Sequence, residues 1–421
     1  MVKVQDRRFK LYNPYVIMLA VNVGFLIFAF SIESPANLIE GFVRIIISRS
    51  ILVTDYIAVG GLGATLLNSS IVGIAGIVML ILLKVKPNGA TIMAMWLTTG
   101  FAFFGKNVYN MIPLTCGVWL FSKYSGEPFI NYYLTAMLAA TLSPTVSELS
   151  FMGIFSWPFE ILMGILFGFV IGFIFPSVSE GTVRVHGGYN LYNMGFAGGL
   201  ICTVLLSVLN AVGISVDTVQ IISSGNNTIL AACLYTIAAA FLCCGLFLGN
   251  TKENIKEYLN IFKRSGRLIS DFYFDHGNSV FINMAVLCAF YTTVVLALGA
   301  ELNGPTVAGI LTIMGFGCFG KHLKNVIPIS LGAVVSAFFN RLDPASPANV
   351  IAILFSTGLA PIAGQYGWIW GAVAGFLHVN ITLYIGELSG GMNLYSNGFA
   401  AGFVAMLLLP VITAFKKDAD L

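Results

Sequence analysis

The sequence predicts an all-α polytopic membrane protein built from two inverted repeats. Each repeat is expected to hold about five spanning helices, a re-entrant helical hairpin and an interfacial amphipathic helix. The first observation is composition, because the 421 residues are 57% hydrophobic and 9% charged, with a mean hydropathy of +0.89. No water-soluble core requires so much apolar sequence. The other two observations are an internal repeat and a one-sided distribution of basic residues.

The repeat is clearest in one stretch, which runs from Asn88 to Pro113 and again from Asn303 to Pro328. About eleven of its roughly 26 positions are identical without a gap, including a Phe-Gly-Lys break in the middle. Each arm has about fifteen residues, fewer than the roughly 20 that a spanning helix needs. This pattern favours a re-entrant hairpin that ends inside the membrane. Two short tilted spans, with lysine extending to the interface, remain the alternative.

The other elements follow the same order in both halves. The matching pairs are the first spans Tyr15–Ile32 and Ile229–Gly249, the amphipathic stretches Asn37–Ser50 and Asn254–Ser265, the acidic-aromatic steps at Asp55 and Asp271, the proline breaks at Pro144 and Pro361, the Gly-x-x-x-Gly helices at Gly164 and Gly371, and the Asn-Leu-Tyr motifs at Asn190 and Asn393. The predicted boundaries are a cytoplasmic segment 1–12, repeat 1 at 13–211, an external connection 212–227, repeat 2 at 228–414 and a cytoplasmic tail 415–421.

The odd number of spans in each half makes the two halves inverted. An N-terminus inside the cell places about fifteen of the 21 Lys and Arg residues on the cytoplasmic side, with Arg44, Arg49 and Arg341 opposite. Both termini are therefore expected in the cytoplasm of a prokaryotic cell whose inner or plasma membrane holds the chain. The hairpins are expected to enter from opposite faces, with their tips meeting near the midplane.

Three sequence strings carry a resemblance to a known family. They are FGKNVYNMIP, HGGYNLYNMGFAGG and LVTDYIAVGG. With them, nearly the whole chain resembles the two-repeat prokaryotic membrane family called domain of unknown function 1576. The resemblance implies tandem copies of one membrane domain and brings no substrate. The Asn-Leu-Tyr and Gly-Phe-Ala-Gly stretch is also similar, over a short length, to the glycine-aromatic stretches of urea channels.

The two hairpin lysines are the main candidates for a solute site. A cation at membrane depth costs at least ~2.5–3.5 kcal/mol unless it is paired or hydrated, so Lys106 and Lys321 indicate a midplane site. Free N–H groups at broken helix ends favour an anion, and Asn107, Asn110 and Asn325 can add amide contacts. The expected ligand is a small anionic or zwitterionic solute. Lysines that satisfy carbonyls of the opposed hairpin, or that extend to the interface, remain alternatives.

The repeated Asn-Leu-Tyr motif supplies the second group of candidates. Asn190, Tyr192, Asn393 and Tyr395 begin symmetry-related spans close to glycine-rich turns. They are expected to line the solute site from the side. The alternative is that each asparagine caps its helix and each tyrosine lies in the aromatic belt.

Four ionisable residues are candidates for coupling to Na⁺ or H⁺. Asp55 and Asp271 lie at equivalent positions, and Glu160 and His378 lie inside apolar helices. Ion pairs with nearby arginines are the alternative for the two aspartates. For Glu160 and His378 the alternative is burial against a cavity.

The remaining motifs favour transport over catalysis. The sequence has no G-x-S-x-G, H-E-x-x-H or phosphate loop, so we expect no enzyme, catalytic residue, metal site or cofactor. No basic cluster with aromatics suggests nucleic acid. A secondary transporter is the preferred function. A channel-like facilitator, and then a sensor or scaffold that moves no solute, are the alternatives. The expected partners are a small solute, membrane lipid, a coupling ion and a second copy of the chain.

Overall fold

The computed structural model describes residues 14–50, 53–216, 219–268 and 270–419. The first repeat contains α1 (Pro14–Ile32), α2 (Pro35–Ile47), β1 (Val53–Thr54), α3 (Tyr56–Gly60), α4 (Leu62–Leu82), α5 (Gly89–Phe101), α6 (Val108–Tyr124), α7 (Tyr133–Ala139), α8 (Ser143–Phe151), α9 (Trp157–Val185) and α10 (Asn193–Ala211). Strand β2 (Gln220–Ile221) follows and pairs in parallel with β1. The second repeat contains α11 (Asn227–Phe247), α12 (Thr251–Ile261), α13 (Phe272–His276), α14 (Ser279–Ala297), α15 (Gly304–Phe316), α16 (Leu323–Phe339), α17 (Pro347–Ser356), α18 (Ala360–Tyr366), α19 (Trp368–Leu388) and α20 (Ser396–Ala419).

The apolar helices make this a multi-pass membrane protein. Among the described residues, nine helical segments are long and apolar enough to cross a membrane, and one of them is the stretch Pro347–Tyr366 formed by α17 and α18. Its counterpart in the first repeat is α7 with α8, joined through the 3₁₀ turn Ala140–Leu142. Counting that broken span, each half has five spans and one hairpin. The predicted fold class is confirmed.

The hairpin formed by α5 and α6 enters and leaves on the same side. Asn68, early in α4, donates from Nδ2 to the carbonyls of Ala102 (2.8 Å) and Lys106 (2.9 Å) at the hairpin tip. Tyr133 begins α7 and donates to the carbonyl of Gly76, further along α4 (3.2 Å). Since a short loop leads from α6 into α7, both hairpin arms return to the side on which α4 ends. The hairpin is re-entrant.

The two hairpins lie side by side and antiparallel. The Cys318 thiol, near the tip of the second hairpin, donates to the carbonyl of Gly89 at the base of the first (3.2 Å). The arms α5 and α15 approach closely because small residues line their contact. A methyl group on Gly100 would lie 3.2 Å from Ala308 Cα, and one on Gly315 would lie 2.8 Å from Trp96 Cβ.

The expectation that the hairpin tips meet at the midplane is therefore wrong. Each tip lies at the base of the other hairpin, and α5 alone is about 20 Å long at 1.5 Å per residue. The physical reason is packing, because antiparallel arms bury their whole length whereas opposed tips bury only their ends. The two buried lysines therefore lie at separate hairpin tips.

Reciprocal contacts between the repeats define a pseudo-two-fold axis. Asn190 Nδ2 donates to the carbonyl of Gly398, and Asn393 Nδ2 donates to the carbonyl of Gly195, both at 2.9 Å. At the axis, a methyl group on Gly195 would lie only 3.1 Å from Gly398 Cα, so α10 and α20 cross with their backbones touching. Because this axis also relates the antiparallel α5 and α15, it runs in the membrane plane. The repeats are inverted.

The amphipathic stretches form α2 and α12. Helix α2 buries Leu38, Gly41 and Ile45 and exposes the rest of its surface. Helix α12 is tied to α13 by His276 Nδ1 and Glu257 Oε2, which are 2.8 Å apart. This hydrogen bond lowers the pKa of the Glu257 carboxyl.

Candidate functional site

Each hairpin tip is built by a capping box at the start of its second arm. Asn107 Oδ1 accepts from the backbone N–H of Asn110 (3.0 Å), and Asn110 Oδ1 accepts from the N–H of Asn107 (2.9 Å). In repeat 2, His322 stands where repeat 1 has Asn107, and Asn325 Oδ1 accepts from the His322 N–H (2.9 Å). Gly105, at φ +72°, lets the chain turn before the box. The box satisfies donors at the start of α6 and α16.

The three asparagines predicted as ligands have their amide groups engaged with protein atoms. Asn110 Nδ2 donates to the Gly105 carbonyl (3.0 Å) and to Ser147 Oγ (2.9 Å). Asn107 Nδ2 donates to the Tyr56 hydroxyl (3.1 Å), and Asn325 Nδ2 donates to a carbonyl of its own tip. In this structure these side chains shape the tips.

Lys321 lies in a closed, fully buried site. Its Nζ donates to the Tyr192 hydroxyl and to Thr357 Oγ1 (2.7 Å). The same Nζ lies 4.4 Å from the ring centre of Tyr192 and 4.9 Å from that of Phe316, within the range of cation–π attraction. Tyr192 belongs to repeat 1, so its hydroxyl and its ring face hold this ammonium across the repeat boundary.

Lys106 is equally buried but has no such partners. Its side chain is 1% exposed, and among the described residues its ammonium makes no hydrogen bond, ion pair or ring contact. Tyr395 is the counterpart of Tyr192, and its buried hydroxyl also has no hydrogen-bond partner in the described part of the chain. The contact that closes the second site is missing from the first.

Two backbone contacts beside the lysines are nevertheless shared by the repeats. The N–H of Leu394 donates to the carbonyl of Thr141 (3.0 Å), and that of Leu191 donates to the carbonyl of Gly358 (2.9 Å). Leu394 packs against the glycine before Lys106, as Leu191 does before Lys321. The tips themselves differ: Gly105 has φ +72° and Gly320 has φ +132°, and among the described residues only the N–H of Lys321, not that of Lys106, donates to the carbonyl five residues before it (2.9 Å).

The Asn-Leu-Tyr motif divides between two roles. Asn190 and Asn393 join the repeats through the reciprocal bonds above, and each Oδ1 accepts from the N–H of the tyrosine two residues on, at 2.9 and 3.0 Å. Tyr192 and Tyr395 instead enter the core, where their ring centres are 5.8 Å apart. Of these four candidates, Tyr192 is the one that contacts a hairpin lysine among the described residues.

Asp55 and Asp271 each cap the hairpin of the opposite repeat. Both carboxylate oxygens of Asp271 accept from the N–H of Gly89, at 3.0 and 2.9 Å. Asp55 accepts from the N–H of Gly304 and, through Oδ2, from the N–H of Ser223 (3.0 Å). A carboxylate at a helix N-terminus is stabilised by the helix dipole.

Glu160 and His378 lie apart from the lysines. Glu160 Oε1 accepts from the backbone N–H groups of Ile154 (2.6 Å) and Phe155 (2.9 Å) just before α9. His378 Nε2 is 3.1 Å from Asn397 Oδ1. Among the described residues, neither bonds to Lys106 or Lys321, and no group of three His, Cys, Asp or Glu side chains could hold a metal ion. Their coupling role stays a prediction.

Sequence reasoning missed two features of the site region. Glu148 is fully buried and forms a two-bond pair with the half-exposed Arg49, at 2.6 and 3.1 Å. The sequence contained an indication of this residue, because Glu148 is the single carboxylate in the serine-rich stretch that forms α8. Thr357 could not be recognised in this way, because its counterpart in repeat 1 is Ala140 and comparison of the repeats identifies only residues that both contain.

Two inverted repeats with antiparallel re-entrant hairpins, and a buried lysine at each tip, define a polytopic membrane protein of the inverted-repeat class. The chain belongs to the family described as "Protein of unknown function (DUF1576)", whose sequence model matches residues 34–211 and 250–414. Each repeat is matched once, which confirms the family resemblance. No curated protein and no solved structure matches the chain.

Proposed function

We propose that the protein is a secondary transporter of a small anionic or zwitterionic solute, and that the anionic group binds between Lys106 Nζ and the Tyr395 hydroxyl. The observation that supports this proposal is the unequal pair of sites. Lys321 donates to Tyr192, whereas the Lys106 ammonium and the Tyr395 hydroxyl have no hydrogen-bond partner among the described residues.

Electrostatics favours an anion at this position. An unpaired cation at membrane depth costs at least ~2.5–3.5 kcal/mol, and an anionic ligand offsets that cost. None of the described salt bridges supplies a carboxylate to Lys106. The lysine also immediately precedes the N-terminus of the 17-residue helix α6, where the helix dipole adds attraction for negative charge.

The symmetry favours transport over static binding. In inverted-repeat transporters, the two repeats exchange conformations so that the solute site opens to one side and then to the other. In this structure Lys321 of repeat 2 is hydrogen-bonded to protein side chains, whereas Lys106 of repeat 1 has no such bond among the described residues. If the repeats exchanged these two arrangements, Lys321 would lose its hydrogen bonds to the protein and the site at Lys106 would become the closed one. We also propose that both termini lie in the cytoplasm of a prokaryotic cell and that Na⁺ or H⁺ drives transport.

The direct test uses the purified protein with acetate, lactate and glycine as probes. Thermal stabilisation by each probe is measured first, and uptake into liposomes under a Na⁺ or proton gradient second. Lys106→Met should keep the fold and lose both responses. The matched control is Lys324→Met, which removes an exposed lysine from α16 and should change neither.

Three outcomes count against this proposal. If Lys106→Met unfolds the protein, the lysine is structural. If that variant transports like the wild type, the solute binds elsewhere. If uptake stops at equal concentrations on both sides under every gradient, the protein is a channel-like facilitator. Lys321→Met, by contrast, should still bind the probe but should not transport it into liposomes.

A further inference from the structure

One side-chain difference distinguishes the two 3₁₀ turns that bond to the Asn-Leu-Tyr motifs beside the lysine tips. Thr357 begins the 3₁₀ turn Thr357–Leu359, and Ala140 begins the matching turn Ala140–Leu142. The next residue in each turn, Gly358 or Thr141, accepts the equivalent backbone hydrogen bond described above. Ala140 is therefore the residue that lacks the hydroxyl group with which Thr357 contacts Lys321.

We propose that an oxygen atom of the solute accepts a hydrogen bond from Lys106 Nζ, in the position that Thr357 Oγ1 occupies beside Lys321. Ala140 makes this possible because it has no hydroxyl group to fill that position. The inference rests on the proposed function and adds a pose and a selective residue to it. In repeat 2 the protein supplies its own acceptor. In repeat 1 the ligand supplies the acceptor, with Tyr395 contributing the second hydroxyl.

The surroundings of Tyr395 define the class of solute more closely. Its hydroxyl lies within interaction range of Thr312 Oγ1 on α15, and neither buried atom meets full hydrogen-bond geometry with a group in the described chain. Buried hydroxyl groups without partners cost about 1–3 kcal/mol each. A solute that bonds to them gains that free energy. The matching ligand is a small carboxylate that carries a second polar group, such as a hydroxy acid or an amino acid.

The ligand-free test is a double-mutant cycle between Ala140→Thr and Lys106→Met. If the place beside Lys106 is open, the new hydroxyl of Ala140→Thr accepts from the ammonium and raises the unfolding temperature. In the Lys106→Met background the same change should give no gain. Equal destabilisation in both backgrounds would show that the place is filled by protein, and would overturn the inference.

The chain offers a matched control one residue away. Ala139→Ser introduces a hydroxyl at the position where repeat 2 has Ser356, whose Oγ donates to the carbonyl of Ile353 (2.7 Å) and not to the lysine. This variant should fold and should not depend on Lys106. If Ala140→Thr does not fold, Ala140→Ser takes its place in the cycle, because it adds the hydroxyl without the methyl group.

The ligand-bound test uses lactate and glycine, with acetate as the probe that lacks the second polar group. Ala140→Thr should weaken binding of lactate or glycine by about tenfold or more, because the internal hydroxyl competes for Lys106. Thr357→Ala should do the reverse and raise the number of bound probe molecules from one to two per chain.

The failures of the two proposals are distinguishable. If Lys106→Met abolishes probe binding while Ala140→Thr leaves it intact, the transporter proposal stands and the role of Ala140 is wrong. If Lys106→Met binds normally, the proposed function itself fails. If acetate binds as tightly as lactate and glycine, the hydroxyls of Tyr395 and Thr312 do not select the solute.

Discussion

Removing one hydroxyl group should have opposite effects at the two symmetric tyrosines. In Tyr192→Phe, the ammonium of Lys321 loses one of its two hydrogen-bond acceptors, and a buried hydrogen bond to a charged group is worth about 1.5–3 kcal/mol. The phenylalanine ring keeps the cation–π contact, so the loss reports the hydrogen bonds of the hydroxyl, which also lies 3.4 Å from Thr357 Oγ1.

Tyr395→Phe removes a buried hydroxyl that has no partner among the described residues. Such a group costs about 1–3 kcal/mol in the folded state, so this variant should be at least as stable as the wild type. The free energies of unfolding of the two variants should then differ by at least about 1.5–3 kcal/mol. The chain thus contains its own control, with the same substitution, the same motif and the same burial.

The assay is thermal unfolding of both variants in the same detergent, without ligand. Tyr192→Phe should unfold at a lower temperature than the wild type, and Tyr395→Phe at the same or a higher one. Equal losses would show that both hydroxyls are bonded alike, and the unequal sites behind the proposed function would then be refuted. A larger loss for Tyr395→Phe would have the same consequence.

Three further predictions concern the scaffold around the sites. Asp271→Asn should cost about 0.5–2 kcal/mol and speed proteolysis at the base of α5, because the cap on that helix loses its charge. Gly195→Ala should cost about 1–3 kcal/mol in thermal unfolding, since the new methyl group lies 2.5 Å from Tyr395 Cβ, whereas Gly24→Ala meets nothing within 4 Å and should be neutral. Arg49→Gln should cost about 3–5 kcal/mol by leaving Glu148 charged and buried, and adding Glu148→Gln should restore most of the loss; no restoration would mean that the arginine acts through packing alone.

Comparison of the two repeats allowed the local structure to be predicted from sequence. The same comparison did not show how the repeats differ, because it draws attention only to residues that they share. Identical residues around Lys106 and Lys321 predicted two hairpins with a break at the same place, because equal sequence in equal surroundings folds alike. The spacing of Asn107 and Asn110 also contained the capping box, which is a local pattern. Thr357 and Ala140 differ, so comparing the repeats drew no attention to them.

Contacts between the repeats were beyond the sequence pattern. The position of each hairpin tip depends on how α5 fits against α15, and that fit depends on glycines such as Gly100 and Gly315 facing the other arm. Asp55 and Asp271 begin short helices of their own, which a sequence can indicate. Their second partners are the N–H groups of a hairpin in the other repeat, and only the tertiary structure brings these together.

Each hairpin is capped by an aspartate of the other repeat, and this limits when the first hairpin can be completed during synthesis of the chain. Asp271 follows Gly89 by 182 residues, so the ribosome needs roughly 10–35 s to make the cap after it has made the helix end that the cap protects. During that interval the N–H of Gly89 lacks its carboxylate partner, and the start of α5 has only the local capping box of Asn88 and Thr91. The first repeat must therefore wait in an unfinished form, and the nascent chain completes both hairpins together only when the second repeat has been inserted in the opposite orientation.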